Sequence, residues 1–300
     1  MTGSEFAKTI EKLRGPEREK VLLDAVEAGE FPNAFDISPA GWPSVLIGGR
    51  LLIRVSPDFF AVGTDADPYY IGGSTATAQT IAFAFDSILP SKKIAREIAA
   101  AATAGGHLFS LYSVNPGAPW YEGDKPKDIE ASGAFTAANV KRNKLLSNAL
   151  GDSRWKVLVD GHAKNILTQA GGLKGSCGPQ GCVTIYGAGG GTVDGWAIQQ
   201  KFGGHSWDYV DYSHGIRLVS RHAVLDGKDV DLRDLFLSSD PSIVALVSDE
   251  GSFDPFLPRP ASLSKKDALI ENVDRKGTSM PGFGLVAVVA TLGYLALKRT

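Results

Sequence analysis

An uncharged apolar run lies close to the C-terminus of this chain. Residues 281–297 read PGFGLVAVVATLGYLAL, and Lys298 and Arg299 follow directly. A run of 17 residues is at the lower limit for a helix that spans a bilayer, and flanking basic side chains can reach the lipid headgroups. A buried terminal helix is the alternative, but the run has no polar face and follows a polar stretch. We therefore predict a single transmembrane helix that anchors the chain in membrane lipid.

The chain before this tail divides into three parts. Residues 252–280 hold three prolines and several charges without apolar periodicity, which predicts a flexible linker. Residues 1–43 combine charged and apolar residues at helical spacing, which predicts a helical segment interrupted at Gly15–Pro16 and not a secretory signal. Residues 44–251 are predicted to form the globular domain.

Composition excludes several classes of function. Lys and Arg number 31 against 33 Asp and Glu, so the net charge is −2 and no nucleic-acid partner is expected. Two cysteines are too few for a disulfide scaffold, and a 300-residue chain with 43% apolar residues can bury its own core. Cys177 and Cys182, in the segment CGPQGC, are expected to be two loop thiols or a small disulfide and not a catalytic pair.

Apolar spacing and turn residues predict an α+β domain. Helices are predicted over 75–87, 91–104 and 134–150, with a short helical piece at 232–237. Strands are predicted over 45–48, 51–55, 59–63, 69–72, 108–114, 155–168, 183–187 and 209–221, the first two as a hairpin. Because strands and helices do not alternate as βαβ units, we expect a mixed sheet with flanking helices.

One short segment concentrates the residues that can carry chemistry. Residues 203–221 read GGHSWDYVDYSHGIRLVSR and hold two of the five histidines. If this segment is one extended strand, Asp211 and His214 lie on opposite faces. They can meet only if the strand breaks at residues 213–215, which the glycine there permits. The candidate catalytic residues are His205, Tyr209, Asp211, His214 and Arg217.

An earlier histidine extends this set to a candidate metal site. His162, His205 and Asp211 have the composition of an open zinc site, and His214 is a candidate fourth member. Such a zinc ion would activate water and polarise an amide carbonyl, although no HExxH-type spacing supports the set. A metal-free alternative has Ser213 as the nucleophile and His205 or His214 as the base. A structural alternative has His214 buried with a hydrogen-bonded ring.

The same segment resembles the hallmark Y-x-D-Y-S-H-G-I-R of a family of uncharacterised proteins from bacteria and their phages. The stretches DGHAKNILT at 160–168 and VTIYG at 183–187 match the pattern of this family in order, and the resemblance covers about residues 44–251. The positions that match the pattern are His162, Lys164, His205, Tyr209, Asp211, Tyr212, Ser213, His214, Gly215 and Arg217. Relatives tend to have Trp-His where this chain has Ala188–Gly189. The resemblance implies a site but names no reaction.

Two functions from different classes follow. The first is a membrane-anchored hydrolase, a peptidase or amidase, that acts on peptidoglycan or another polymer of the cell envelope through the His/Asp site. The second is a non-enzymatic, membrane-associated structural component of a phage particle, with virion proteins or copies of itself as partners. A third, binding without turnover, would use Tyr209, Asp211 and Arg217 as ligand contacts.

The sequence allows the globular domain to lie on either side of the membrane. Lys298 and Arg299 favour a cytoplasmic C-terminus, whereas a tail inserted after synthesis leaves the domain inside the cell. The second arrangement needs less machinery and is the one we expect from the sequence, with a virion membrane as a further location.

Overall fold

The computed structural model describes residues 1–36, 39–109, 132–168, 182–188, 197–206 and 208–256. These residues belong to one compact unit, Met1–Arg259. Most of the predicted linker and the whole predicted tail anchor at 281–297 lie outside the described residues. Within the described ranges, no helix is both long and apolar enough to cross a bilayer.

The predicted α+β class is confirmed by a mixture of helices and small sheets. The helices are α1 (Gly3–Ile10), α2 (Gly15–Glu27), α3 (Asn33–Asp36), α4 (Thr75–Ala84), α5 (Lys92–Ala104), α6 (Ser132–Leu150), α7 (Leu232–Phe236) and α8 (Pro241–Val247). The strands are β1 (Ser44–Ile47), β2 (Leu51–Arg54), β3 (Ala61–Gly63), β4 (Pro68–Tyr70), β5 (Ser87–Ile88), β6 (Lys164–Ile166), β7 (Cys182–Ala188), β8 (Ala197–Ser206), β9 (His214–Gly215), β10 (Val219–Ser220), β11 (His222–Leu225) and β12 (Lys228–Asp231).

Two four-stranded sheets form the framework, in the orders β1-β2-β11-β12 and β8-β7-β6-β9. The second sheet is mixed, because β6 pairs in parallel with β9 and antiparallel with β7. The parallel pairing sets Lys164 opposite His214 and Asn165 opposite Gly215. Two parts of the chain that are distant in sequence, around 164 and around 214, are thereby joined at the edge of one sheet.

The N-terminal helices pack into the same core as the rest of the unit. Phe6, Ile10 and Leu22 are completely buried in a cluster that also holds residues of β3, β4, α4 and α6. The Gly3 amide donates to the Asp67 carbonyl at 2.7 Å, and a Cβ on Gly3 would lie 2.5 Å from that oxygen. The predicted helical segment 1–43 therefore folds onto the predicted globular domain.

Local sequence signals explain the helices. Ser91 accepts a hydrogen bond from the Ile94 amide at 3.1 Å, as an N-cap does, and the buried Ile94 and Ile98 lie one turn apart on α5. Helices lie at all four predicted places, 75–87, 91–104, 134–150 and 232–237, but α4 ends at Ala84, and Ser87 belongs to β5. The predicted hairpin of β1 and β2 is confirmed.

The longest predicted strands are wrong. Only 164–166 of the predicted strand 155–168 is in a strand, and the predicted strand 209–221 contains only the two-residue pieces β9 and β10. Around these pieces the backbone forms turns and irregular connections. Leu108 makes a single bridge to Asp160, and residues 110–114 of that predicted strand lie outside the described ranges.

Candidate functional site

A tight turn at residues 211–214 brings Asp211 and His214 to the same side of the chain. The His214 amide donates to the Asp211 carbonyl at 3.1 Å, and the Asp211 carboxylate accepts hydrogen bonds from both the amide and the hydroxyl of Ser213, the amide at 2.7 Å. Aspartate favours such turns because its side chain can bond to the backbone two residues further on. The imidazole Nε2 of His214 therefore lies 3.5 Å from Oδ2 of Asp211.

Strand β6 holds this turn from the other side. The Lys164 amide donates to the Ser213 carbonyl at 2.8 Å, and the Lys164 side chain is only 4% exposed. A buried ammonium group next to a carboxylate favours the ionised form of that carboxylate. The structure thus places Lys164 beside the Asp211–His214 turn.

The charges in this cluster follow from burial and proximity. Burial opposes ionisation of Asp211, but His214, Lys164 and the hydrogen bonds from Ser213 lower its pKa to about 2. Burial lowers the pKa of His214 to about 4, against the opposing effect of the Asp211 carboxylate. At neutral pH the pair is thus an ionised carboxylate beside a neutral imidazole.

The His214 ring is completely buried, yet its polar atoms are unsatisfied. Within the described residues, neither imidazole nitrogen has a hydrogen-bond partner. Gly72 contacts the backbone and Cβ of this residue so closely that a Cβ on Gly72 would lie 2.6 Å from the His214 Cβ. A buried unsatisfied nitrogen costs about 1–3 kcal/mol, and such groups in native proteins commonly have a water, ligand or catalytic role.

Two aromatic rings cover the outer side of the pair. The Tyr209 ring meets the His214 ring edge to face at 5.7 Å between centroids, and its hydroxyl donates to Asp211 Oδ2 at 3.4 Å. The His205 ring stacks on Tyr209 at 3.9 Å with an interplanar angle of 16°. Tyr209 and His205 are both partly exposed, so this stack lies between the buried pair and solvent.

The structure therefore brings together four of the five predicted catalytic residues, His205, Tyr209, Asp211 and His214. The fifth, Arg217, lies elsewhere. It is completely buried, donates to the carbonyls of Ser56 and Val159 at 3.0 and 2.6 Å, and lies over the Phe59 ring. The strand alternation that placed Arg217 beside Asp211 does not apply, because residues 209–213 are not extended in a sheet.

His162 lies near Arg217, because both side chains contact the Phe59 ring. Its Nε2 donates to Oδ1 of Asp58 at 2.6 Å, and its ring packs against Phe59 and Tyr70. Burial lowers the pKa of His162, with Asp58 opposing. Burial opposes ionisation of Asp58, but its interactions with His162, Arg154 and Arg217 bring the pKa of this carboxyl below its usual value.

The predicted zinc ligands are therefore not assembled as a set. His162 is engaged by Asp58, whereas His205 and Asp211 lie in the Asp211–His214 cluster. In the part of the chain that the structure describes, no three His, Cys, Asp or Glu side chains are grouped as metal ligands would be. These residues do not fit the predicted zinc site, and we derive no step through a metal.

The predictions for Ser213 and the cysteines are also resolved in part. The Ser213 hydroxyl donates its proton to a hydrogen bond with Asp211. It therefore does not donate to a histidine, as a serine nucleophile would donate to its base. Cys182 is disulfide-bonded and 1% exposed, and the only other cysteine in the sequence is Cys177, outside the described residues. The expectation that Cys182 is not a nucleophile agrees with this bonding.

Sequence reasoning missed two residues that shape the site. Gly72 precedes Gly73 and the N-cap Ser74, and a glycine pair before a helix was a usable signal of close backbone approach. Arg142 lies on α6, where an arginine is ordinarily expected to face solvent. Nothing in its local sequence indicates that it is buried.

As a chemical arrangement, the cluster offers a neutral imidazole, an ionised carboxylate at its Nε2 side, and a tyrosine hydroxyl close to that carboxylate. Such a set can accept and stabilise a proton.

The resemblance to the hallmark family remains a prediction. No protein-family model matches the chain, and neither the curated proteins nor the solved structures contain a match to it.

Proposed function

We propose that the protein is a hydrolase of amide bonds, a peptidase or amidase that acts on peptidoglycan or a related envelope polymer. The observation that carries this proposal is the Asp211–His214 pair, with its buried imidazole and no hydrogen bond to either nitrogen from the described residues. Tyr209 and His205 extend the pair towards solvent.

In the proposed reaction His214 acts as the general base for a water molecule. Asp211 lies at the Nε2 side of the ring, so Nδ1 is the nitrogen that takes the proton from water as the water attacks the amide carbonyl. The ionised Asp211 stabilises the imidazolium that forms, and His214 returns the proton to the leaving amine. No covalent intermediate is needed, in keeping with the hydrogen bond that occupies Ser213.

Without substrate, the pKa of His214 is low for a base that works near neutral pH. The 3.5 Å separation between Nε2 and the Asp211 carboxylate is longer than a hydrogen bond. Catalytic hydrogen bonds are often long before substrate binds, and shortening this one would raise the pKa of His214. Substrate binding is therefore part of the proposal, with the Tyr209 and His205 rings as its first contacts.

The envelope as the place of action has separate support. The disulfide at Cys182 is the kind of bond that persists in oxidising compartments and is rare in the cytosol. It favours a domain on the outer side of the membrane, or in a virion, over the inside location that the sequence first suggested. The apolar run at 281–297 would keep the domain close to its polymer substrate.

One observation favours the alternative of a non-enzymatic phage component. His214 is completely buried and Asp211 is 6% exposed, so substrate has no direct path to the pair unless the Tyr209–His205 stack moves. A cluster of this kind can instead fix the fold of a structural protein. The two functions make opposite predictions for activity.

The test is a zymogram and a soluble release assay with purified peptidoglycan, using the full chain in detergent. His214→Gln and Asp211→Asn are compared with His222→Gln, which changes an exposed histidine paired with Asp86 outside the site. Parallel samples with a chelator test the predicted zinc independently. We expect both site variants to lose at least about a hundredfold in rate, the range typical for loss of a general base or its partner, and His222→Gln to match wild type.

If the wild-type protein is folded but releases no stem peptides and no free amino groups from peptidoglycan, the hydrolase proposal is overturned and the structural role is favoured. Equal activity of wild type and His214→Gln would also remove His214 from the mechanism. Circular dichroism and urea unfolding of each variant show whether a loss of rate comes from loss of fold.

A further inference from the structure

Arg142 of α6 is buried beside the Asp211–His214 turn. Its side chain is 1% exposed, its Nη2 donates to the Tyr212 carbonyl at 2.7 Å, and its Nε donates to the His162 carbonyl at 3.2 Å. We propose that Arg142 is a positioning residue, whose guanidinium fixes the turn so that Asp211 and His214 face each other.

The turn needs such a group because its carbonyls are buried. The Asp211 carbonyl accepts from the His214 amide within the turn, and the Ser213 carbonyl accepts from the Lys164 amide of β6. The Tyr212 carbonyl, in the middle, is bonded by Arg142. Loss of this donor would remove a charged hydrogen bond from a buried carbonyl, a cost that favours rotation of the peptide groups of the turn.

The second bond of Arg142 explains why an arginine suits this position. Its fork reaches the Tyr212 and His162 carbonyls together, and His162 directly precedes the segment that enters β6. Arginine has five donors in a planar arrangement, whereas the ammonium of lysine is a compact point charge on a flexible stem. One guanidinium thus sets the distance between the two segments that match the hallmark.

The helix that carries Arg142 is itself fixed to the sheet region. Asn139, one turn earlier on α6, accepts the Tyr70 amide at 2.6 Å and donates to the Tyr70 carbonyl at 2.7 Å. This reciprocal pair ties α6 to β4. Arg142 therefore extends from a helix that is hydrogen-bonded to β4 independently of the turn.

A matched control exists in Arg154. Arg154 is 4% exposed, and its guanidinium lies 5.2 Å from the Tyr70 ring centroid, against 5.8 Å for Arg142. It donates to the Tyr70 hydroxyl at 2.6 Å and to Asn143, and within the described ranges none of its hydrogen bonds reaches the turn. Arg154→Met therefore removes a buried guanidinium from the same neighbourhood without removing the donor to Tyr212.

The experiment measures amide hydrogen exchange of the full chain in detergent, residue by residue where NMR allows and otherwise by peptide mass. Arg142→Met is compared with Arg142→Lys, Arg154→Met and wild type. Loss of a hydrogen bond to a charged donor should speed exchange of the Ser213 and His214 amides by about tenfold or more relative to the core strands. Arg142→Lys, which keeps a cation that can reach one carbonyl, should restore part of that protection.

Selective loss of protection in Arg142→Met, partial rescue in Arg142→Lys and none of this pattern in Arg154→Met would support the positioning role. Equal acceleration across the whole domain, or the same pattern in Arg154→Met, would overturn it. If Arg142→Met does not fold, Arg142→Lys decides: faster exchange confined to 211–214 supports the role, and an unchanged turn overturns it.

The catalytic consequence rests on the proposed function, but the exchange measurement does not. A wild-type protein without hydrolase activity would defeat the proposed function and leave the role of Arg142 in the turn to be judged by exchange alone. If the hydrolase is active, Arg142→Met should lower kcat more than it changes KM, because it disturbs the base and not the outer Tyr209–His205 stack.

Discussion

The His162 imidazole donates from Nε2 to Oδ1 of Asp58 at 2.6 Å, and both side chains are completely buried. The other carboxylate oxygen accepts from the Tyr70 hydroxyl, which in turn accepts from Arg154 at 2.6 Å. The Phe59 amide also donates to Asp58, at 2.7 Å. One carboxylate therefore joins the β3–β4 region to the chain that enters β6.

Removal of this carboxylate should destabilise the fold strongly. Asp58→Asn would leave Arg154 without its nearby negative charge and would oblige an amide to replace two accepting oxygens. Removal of one partner from a buried ionic network typically lowers the free energy of unfolding by about 3–5 kcal/mol. Urea unfolding monitored by tryptophan fluorescence measures the difference.

An exposed pair provides the control for that experiment. Lys20 and Asp24 are paired at 2.6 Å on α2 with both side chains exposed, so Asp24→Asn should change stability by less than about 1 kcal/mol. Similar losses for the two aspartates would contradict the interpretation of Asp58 as a buried organising group.

Two groups of the candidate site, His214 and Asp211, should make the fold less stable in acid. The pKa of His214 is about 4 in the folded chain, below the usual value of 6.5, so the unfolded chain binds more protons between these values. Stability is therefore full above about pH 6.5 and falls as the pH drops towards 4, by about 3 kcal/mol at 1.36 kcal/mol per pKa unit. The lowered pKa of Asp211, about 2, adds a further loss below about pH 4.

The measurement is the free energy of unfolding in urea at several pH values from 7 to 4. His214→Gln removes one titrating group, so its stability should fall less steeply with acid than that of the wild type. An identical slope for the two proteins would mean that His214 is not buried as a neutral imidazole in solution.

The helices, the first hairpin and the α+β class could be predicted because their signals are local. Ser91 caps α5, and the apolar spacing of α4, α5 and α6 needs no information from distant parts of the chain. The strand prediction at 209–221 failed because β-forming residues surround Asp211, whose side chain bonds to the Ser213 amide and favours a turn.

The wrong strand prediction at 209–221 also gave one wrong residue in the predicted site. An extended strand places Arg217 on the face of Asp211, whereas in the structure Arg217 donates to the Ser56 and Val159 carbonyls. The segment that holds Asp211 and His214 was nevertheless identified, because rare residue types cluster there. Arg142 could not be found, since its role depends on a contact between residues 70 positions apart.

Reduction of the disulfide should loosen the strand pair that carries His205. Cys182 pairs with Ser206 across β7 and β8, and the next pair is Val183 with His205. If Cys182 is bonded to Cys177, the closed loop is short, and its loss should cost about 2 kcal/mol. We expect a lower urea midpoint in dithiothreitol. Cys182→Ser should have that lower midpoint with or without reductant, and a reductant effect that persists in Cys182→Ser would point to another cause.

The apolar C-terminal run should decide whether the chain stays with membranes. The full chain is expected to remain in the membrane pellet after carbonate extraction, because a helix over residues 281–297 would bury its side chains in the hydrocarbon layer. A chain that ends at residue 280 keeps the linker and should appear in the supernatant. Extraction of the full chain by carbonate, or retention of the shortened chain, would contradict the predicted anchor.

A methyl group on Gly72 should displace His214 selectively. The Cβ of Gly72→Ala would lie 2.6 Å from the His214 Cβ, closer than two carbon atoms can approach, so the turn or the loop before α4 must move. Gly73→Ala is the matched control, because its Cβ would meet the Thr77 side chain at 3.0 Å and the Ala78 amide nitrogen at 3.7 Å, and neither atom belongs to His214. Overpacking of this kind costs about 1–3 kcal/mol, and we expect most of that loss in Gly72→Ala.

The imidazole resonances of His214 should shift in Gly72→Ala and stay near their wild-type positions in Gly73→Ala. Equal shifts in the two variants would mean that the loop, and not its contact with His214, determines the geometry of the site.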